Sequence, residues 1–132
     1  HRASKFGDGV SGKTIDAINF YKDWFGDNSE KCIVAGDFNN SIIWDKKGND
    51  NNFNNIDGHL VDLGFVSNYH KLKDEGFGKE SYATFFHTKK ESKKYHIDYI
   101  YSKNLNPLEL KVGSYTDWIS YSDHSPLIAE LG

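Results

Sequence analysis

The 132-residue chain has the length of one small domain, and with 37% hydrophobic, 27% charged and 15% aromatic residues its composition is globular rather than disordered. A formal net charge of -3 excludes a general pull towards nucleic acid but not a local basic strip, while Cys32, the single cysteine, excludes an intrachain disulfide and argues against a cysteine-based zinc site. No apolar stretch is long enough to span a bilayer and no secretory signal stands at the start, so the chain reads as soluble, with the cytoplasm the preferred compartment.

Nine Phe, eight Tyr and three Trp must supply much of the core, because large rings bury enough area to hold a short chain together. The spacing of Ile15, Ile18, Tyr21 and Phe25 predicts an amphipathic helix over 11–25, with Ser11 as its N-cap and Gly26 as its stop. The short apolar run 31–35 predicts a buried strand that ends in Gly36-Asp37. Residues 48–55 are rich in Asn and read as loop. Phe53, Ile56, Leu60 and Leu63 line one face of a second helix that ends at Gly64, although Gly58 weakens it.

Beyond that helix the period changes to two. Segments 81–87, 95–102, 108–112 and 127–131 are expected as strands, and alternation places Asp98 on the same face as His96 and Ile100. The charged segment 89–94 reads as a hairpin tip. Helices come early and strands late, so the expectation is α+β: a mixed, mostly antiparallel sheet with helices on one face. There is no internal repeat and no low-complexity linker.

Three clusters carry chemistry. In Gly36-Asp37-Phe38-Asn39 a strand ends with a carboxylate and a carboxamide on the same side. Asp37 can hold a divalent ion or orient a water, and Asn39 can donate to a phosphate oxygen; the plainer reading is a turn. In His96-Ile97-Asp98-Tyr99 an acidic residue stands in an aromatic strand, where burial demands a partner; a salt bridge to a lysine would serve. In Ser122-Asp123-His124-Ser125-Pro126 neighbouring side chains diverge, so Asp123 can face a metal while His124 faces a phosphate or a water. The alternative is a capped loop before the last strand. A dependable acid–base His needs its other ring nitrogen fixed, and Asp98 is a candidate for that acceptor.

Taken in order, Asp-x-Asn after a strand, His-Ile-Asp-Tyr and Ser-Asp-His-Ser-Pro-Leu resemble the C-terminal signature of the endonuclease/exonuclease/phosphatase superfamily, over about 31–131. The resemblance implies the C-terminal half of a deoxyribonuclease I-like four-layer α/β sandwich, filling residues 1–132. It implies that Asp37 and Asn39 orient the water and the scissile phosphate. By the same resemblance Asp98 pairs with the catalytic His124, and Asp123 belongs to the metal-binding region. The histidine's role, general base or phosphate ligand, stays open. Mg²⁺ or Mn²⁺ is the implied cofactor, and the implied activity is a nuclease on DNA or RNA. A phosphoinositide or sphingolipid head-group phosphoesterase, or a non-catalytic binding module, are the alternatives.

The family's N-terminal half supplies an Asn and a metal-binding Glu. Neither is assigned here, since Glu30 and Glu91 lie in the wrong order and context, although His1 can match a histidine that precedes the first helix in some members. The start at His1-Arg2-Ala3-Ser4 is consistent with a processed protein or a piece of a longer one. The fragment is therefore expected to hydrolyse little alone, and to associate with itself or with the missing half through its uncovered sheet face.

Four further features have a plainer account each. The lysines of 89–94, near His87 and His96, can meet a nucleic-acid backbone, but a solvated hairpin tip explains them. Trp44 can stack on a base or a head group, or simply pack, and Trp118 is read the same way. His59, His70, His87 and His96 form no i, i+4 pair, so a zinc-hydrolase reading is weak.

Overall fold

The computed structural model describes residues 14–25 and 30–132. The first helix, α1, spans Thr14–Tyr21 and passes into a 3-10 turn at Lys22–Phe25; Ser11 and Gly26, its expected cap and stop, and His1 lie outside the described residues. Ile18 is buried, and Ile15 and Phe25 pack beside it, as the helical spacing requires. Strand β1, Cys32–Asp37, follows the expected apolar run but is not buried on both faces. Among the described residues it is an edge strand paired only with β5, and Cys32 and Val34 point to the core while Ile33 is 50% exposed.

Helix α2, Phe53–Asp62, begins inside the stretch expected as loop. Its first turn is stabilised from a distance: the Asp45 carboxylate accepts from the backbone N–H of Phe53 at 2.7 Å and of Asn54 at 3.0 Å. That places a negative charge where the helix has unsatisfied donors and a positive dipole end. Phe53, Ile56 and Leu60 are fully buried. Strand β2, Val66–Ser67, leads into α3, Asn68–Lys73, a six-residue helix without a sequence signal.

The expected strand over 81–87 shortens to β3, Phe85–Phe86, which forms a hairpin with β4, Lys94–Tyr95; a 3-10 turn at His87–Lys89 and an exposed lysine-rich tip join them. The strand expected over 95–102 divides at His96-Ile97, and β5 runs over Asp98–Lys103. His96 is buried. Its ring packs against Tyr69, His70 and Tyr99 on the core side. Strands β6, Pro107–Val112, and β7, Leu127–Leu131, form a third antiparallel unit, with the short helix α4, Tyr115–Trp118, between them.

Every pairing among the described strands is antiparallel, with β5 central in the order β1-β5-β2. With its helices this is the expected α+β architecture. The core forms where Tyr99 and Tyr101 of β5 meet Ile18, Phe53, Ile56, Leu60 and Phe65. The Phe53 and Tyr99 rings stack with centroids 4.6 Å apart. Among the described residues no helix is long and apolar enough to cross a membrane.

Candidate active site

The register of β1 on β5 pairs Asp37 with Asp98 at the end of the ladder. Two carboxylates therefore stand opposite one another where the sheet stops. Like charges so placed repel unless something cationic or proton-bearing lies between them. His124 does. Its Nδ1 lies 2.9 Å from Asp98 Oδ2 and its Nε2 lies 4.0 Å from Asp37 Oδ2. Because an ionised carboxylate only accepts, the short contact is an Nδ1–H donating to Asp98, which leaves Nε2 turned towards Asp37. Exposure grades across the three side chains: Asp98 17%, His124 30%, Asp37 47%. The pair is anchored inside and the third carboxylate meets water.

Each arm of the site is held locally. Asp37 Oδ1 accepts from the Asn39 backbone N–H at 2.7 Å, and Asn39 takes a left-handed φ of +48°. Asn is among the few non-glycine residues that tolerate this conformation, and just before it Gly36 has φ +140°. So the Gly-Asp-x-Asn turn holds the Asp37 carboxylate at the sheet rim. Beyond it, Tyr99 donates its hydroxyl to the carbonyls of Asn40 and His96, both at 3.0 Å, tying the loop after β1 to the start of β5. Burial first, and then the charge of Glu80, pushes the Tyr99 hydroxyl far above its ordinary value, so it remains a donor.

On the other arm, Ser122 Oγ accepts from the His124 backbone N–H at 3.0 Å. The Phe85 ring lies against the imidazole, with centroids 4.9 Å apart, and the two residues form a backbone bridge. A cleft of about 490 Å³ opens beside the pair, lined by Gly36, Asp98, Trp118, Ser122 and His124 among others.

The structure thus brings Asp37, Asp98 and His124 together, with ligand atoms mutually within 4.8 Å, and Asn39 adjoins them through its backbone. Asp98 is partnered by a histidine rather than by a lysine. Asp123 is half-buried and is not a member of that close group; its carbonyl accepts from Phe86 N–H at 2.8 Å. Trp44, 42% exposed, packs on Tyr95 with ring centroids 5.1 Å apart, while Trp118, 39% exposed, lines the cleft. Sequence reasoning missed Phe85 and Thr84, whose contacts hold the pair's backbone. The signal was a small hydroxyl residue before two aromatics in a strand, and many strands contain that.

Three atoms this close also resemble a cation site. The 2.9 Å imidazole–carboxylate contact argues otherwise, because it engages both groups with each other and leaves Asp37 as the open carboxylate.

The chain thus combines helices over antiparallel strands with a histidine–carboxylate pair beside a second carboxylate at a sheet rim. The chain matches the Endonuclease/Exonuclease/phosphatase family over residues 10–124 and belongs to that family. Its fold is deoxyribonuclease I-like, and the family consists in general of hydrolytic phosphoesterases, typically dependent on a divalent metal. No curated protein and no solved structure matches the chain.

Proposed function

We propose that this chain is the C-terminal half of a divalent-metal-dependent phosphoesterase domain, and within that class a nuclease acting on DNA or RNA phosphodiester bonds. The observation that carries this is the Asp98–His124 bond at 2.9 Å with Asp37 on the far side of the ring at 4.0 Å. Attack of water on phosphorus needs a proton acceptor held in one orientation and a second group to aim the water. Asp98 fixes the tautomer, His124 Nε2 takes the proton or binds a phosphate oxygen, Asp37 orients the water, and Asn39 donates to the scissile phosphate.

The donor chemistry fits a hard cation: carboxylate oxygens at a partly exposed rim, where Mg²⁺ or Mn²⁺ keeps several of its waters. Asp123, which the family resemblance assigns to the metal-binding region, would contribute to holding it, and the bound ion would polarise the phosphoryl oxygen and stabilise the leaving alkoxide. The family's further Asn and Glu would come from the other half-domain, so little turnover is expected from these 132 residues alone.

The test uses the full-length protein with supercoiled plasmid, and separately with a phosphoinositide, each with and without Mg²⁺. Mg²⁺-dependent nicking, lowered about 10²- to 10⁴-fold by His124→Ala, is expected from loss of general acid–base catalysis. Turnover of the phosphoinositide alone would reassign the substrate to a lipid head group. Inactivity on both would favour a binding module and overturn the reading.

A further inference from the structure

We propose that Thr84 is a positioning residue for the Asp98–His124 pair, holding the two segments that carry it at one fixed separation; its bearing on catalysis rests on the phosphoesterase reading above. Thr84 is fully buried, yet its hydroxyl oxygen and its carbonyl both bond to these segments. Its Oγ1 accepts from the backbone N–H of Ile97 at 3.0 Å and of Asp98 at 3.1 Å. Its carbonyl accepts from the N–H of Ser125, the residue after His124, at 2.8 Å. Its own N–H donates to the Tyr95 carbonyl at 2.9 Å. One residue therefore grips the start of β5 through its side chain and the His124 loop through its backbone.

The grip explains a local irregularity. Successive N–H groups in a strand point to opposite sides, and here those of Ile97 and Asp98 converge on a single oxygen. That convergence divides the strand expected over 95–102 and starts β5 at Asp98, opposite Asp37. A hydroxyl is the smallest side chain that offers two acceptor sites at one atom. Valine has nearly the same shape and offers none, which leaves both N–H groups facing a methyl. The neighbours of Thr84 continue the tie, since Phe85 bridges His124 and Phe86 N–H donates to the Asp123 carbonyl. The Thr84 hydroxyl adds the start of β5, so one short segment is tied to the backbones of both Asp98 and the His124 loop.

The direct readout is the His124 Nδ1–H proton in ¹⁵N-edited NMR spectra of the full-length protein. Bonded to Asp98, it should appear as a downfield resonance that exchanges slowly with solvent, independently of any hydrolysis. Thr84→Ser should keep it, Thr84→Cys, with a weaker acceptor, should broaden it, and Thr84→Val should lose it while the core amides of Tyr99 and Tyr101 stay in place. In the full-length protein Thr84→Val should lower kcat about 10²-fold with KM nearly unchanged, as misplacement of a catalytic group does. A folded Thr84→Val with the wild-type proton resonance would overturn the proposal, as would Thr84→Ser losing it to the same extent. If Thr84→Val does not fold, Thr84→Cys decides, and an unaltered resonance there overturns it. Should the resonances respond as described while His124→Ala leaves hydrolysis intact, the positioning role stands and the catalytic reading falls.

Discussion

Two histidines in this chain show how much a side chain's chemistry depends on what its second nitrogen meets. His124 donates through Nδ1 to Asp98 and leaves Nε2 at a partly exposed rim. His96 bonds the Tyr82 carbonyl through Nδ1 at 2.8 Å, but its Nε2 is buried without a hydrogen-bond partner. Burial, above all, holds the His96 imidazolium below the ordinary 6.5; the Tyr82 bond and the charges of Glu80 and Asp98 oppose this, and nearby His70 adds to it. The unfolded chain therefore takes up a proton on this group at a higher pH than the folded one does. Stability is unaffected by it well above pH 6.5 and falls as pH drops from 6.5 towards the folded value. Glu80 acts in the same direction lower down: burial raises its carboxyl, but the bond from His70 at 2.9 Å and two backbone bonds outweigh that and hold it below 4.5. We expect the urea midpoint to decline from pH 7.5 to 5 in the wild type and to decline less in His96→Gln. A midpoint flat over this range would contradict the account of His96. The sequence offered Asp98 as a partner for His124 because an acid–base histidine needs its other ring nitrogen fixed and a carboxylate in an aromatic strand needs a partner. It could not show that His96, two positions from Asp98, belongs to the core instead.

At the scale of elements, what could be read in advance followed from periodicity and what could not followed from single contacts. Helix α1, strand β1, the β3–β4 hairpin and strands β6 and β7 all lie on segments whose apolar spacing predicts them. Features set by particular contacts escaped. Helix α3 is six residues long, too short for a period to register, and is held by tertiary bonds such as Tyr69 hydroxyl to Glu75 and Ser102 to Asn68. The start of α2 lies in an Asn-rich stretch because Asp45, eight residues away, supplies its cap. The division between β4 and β5 is set by Thr84, which no local pattern announces. The junction between β6 and α4 makes a sharper demand. A Cβ on Gly113 would lie 2.6 Å from Pro126 Cδ and 2.6 Å from Trp118 Cδ1, so the residue must be glycine for these side chains to close over it. Gly113→Ala should therefore lower unfolding free energy by about 1–3 kcal/mol, the usual cost of overpacking. It should also disturb the cleft that Trp118 and Pro126 line. Urea denaturation that gives wild-type stability would show that this junction yields freely.

Across the whole molecule, the site exists because distant parts of the sequence end at one rim. Asp37 comes from an edge strand, Asp98 from the central strand, and His124 from the loop before the last strand. The ladder between β1 and β5 sets the first two opposite each other, and the aromatic core beneath β5 keeps that ladder in register. The family match over 10–124 spans the positions of all three residues. If Asp98 and His124 act as one proton-handling unit, their loss should not multiply. The decisive measurement is metal-dependent phosphodiester hydrolysis by the full-length protein carrying Asp98→Asn, His124→Ala and both together. The account predicts that the double variant is no slower than the worse single one. Independent losses that multiply, or wild-type rates in either single variant, would contradict it.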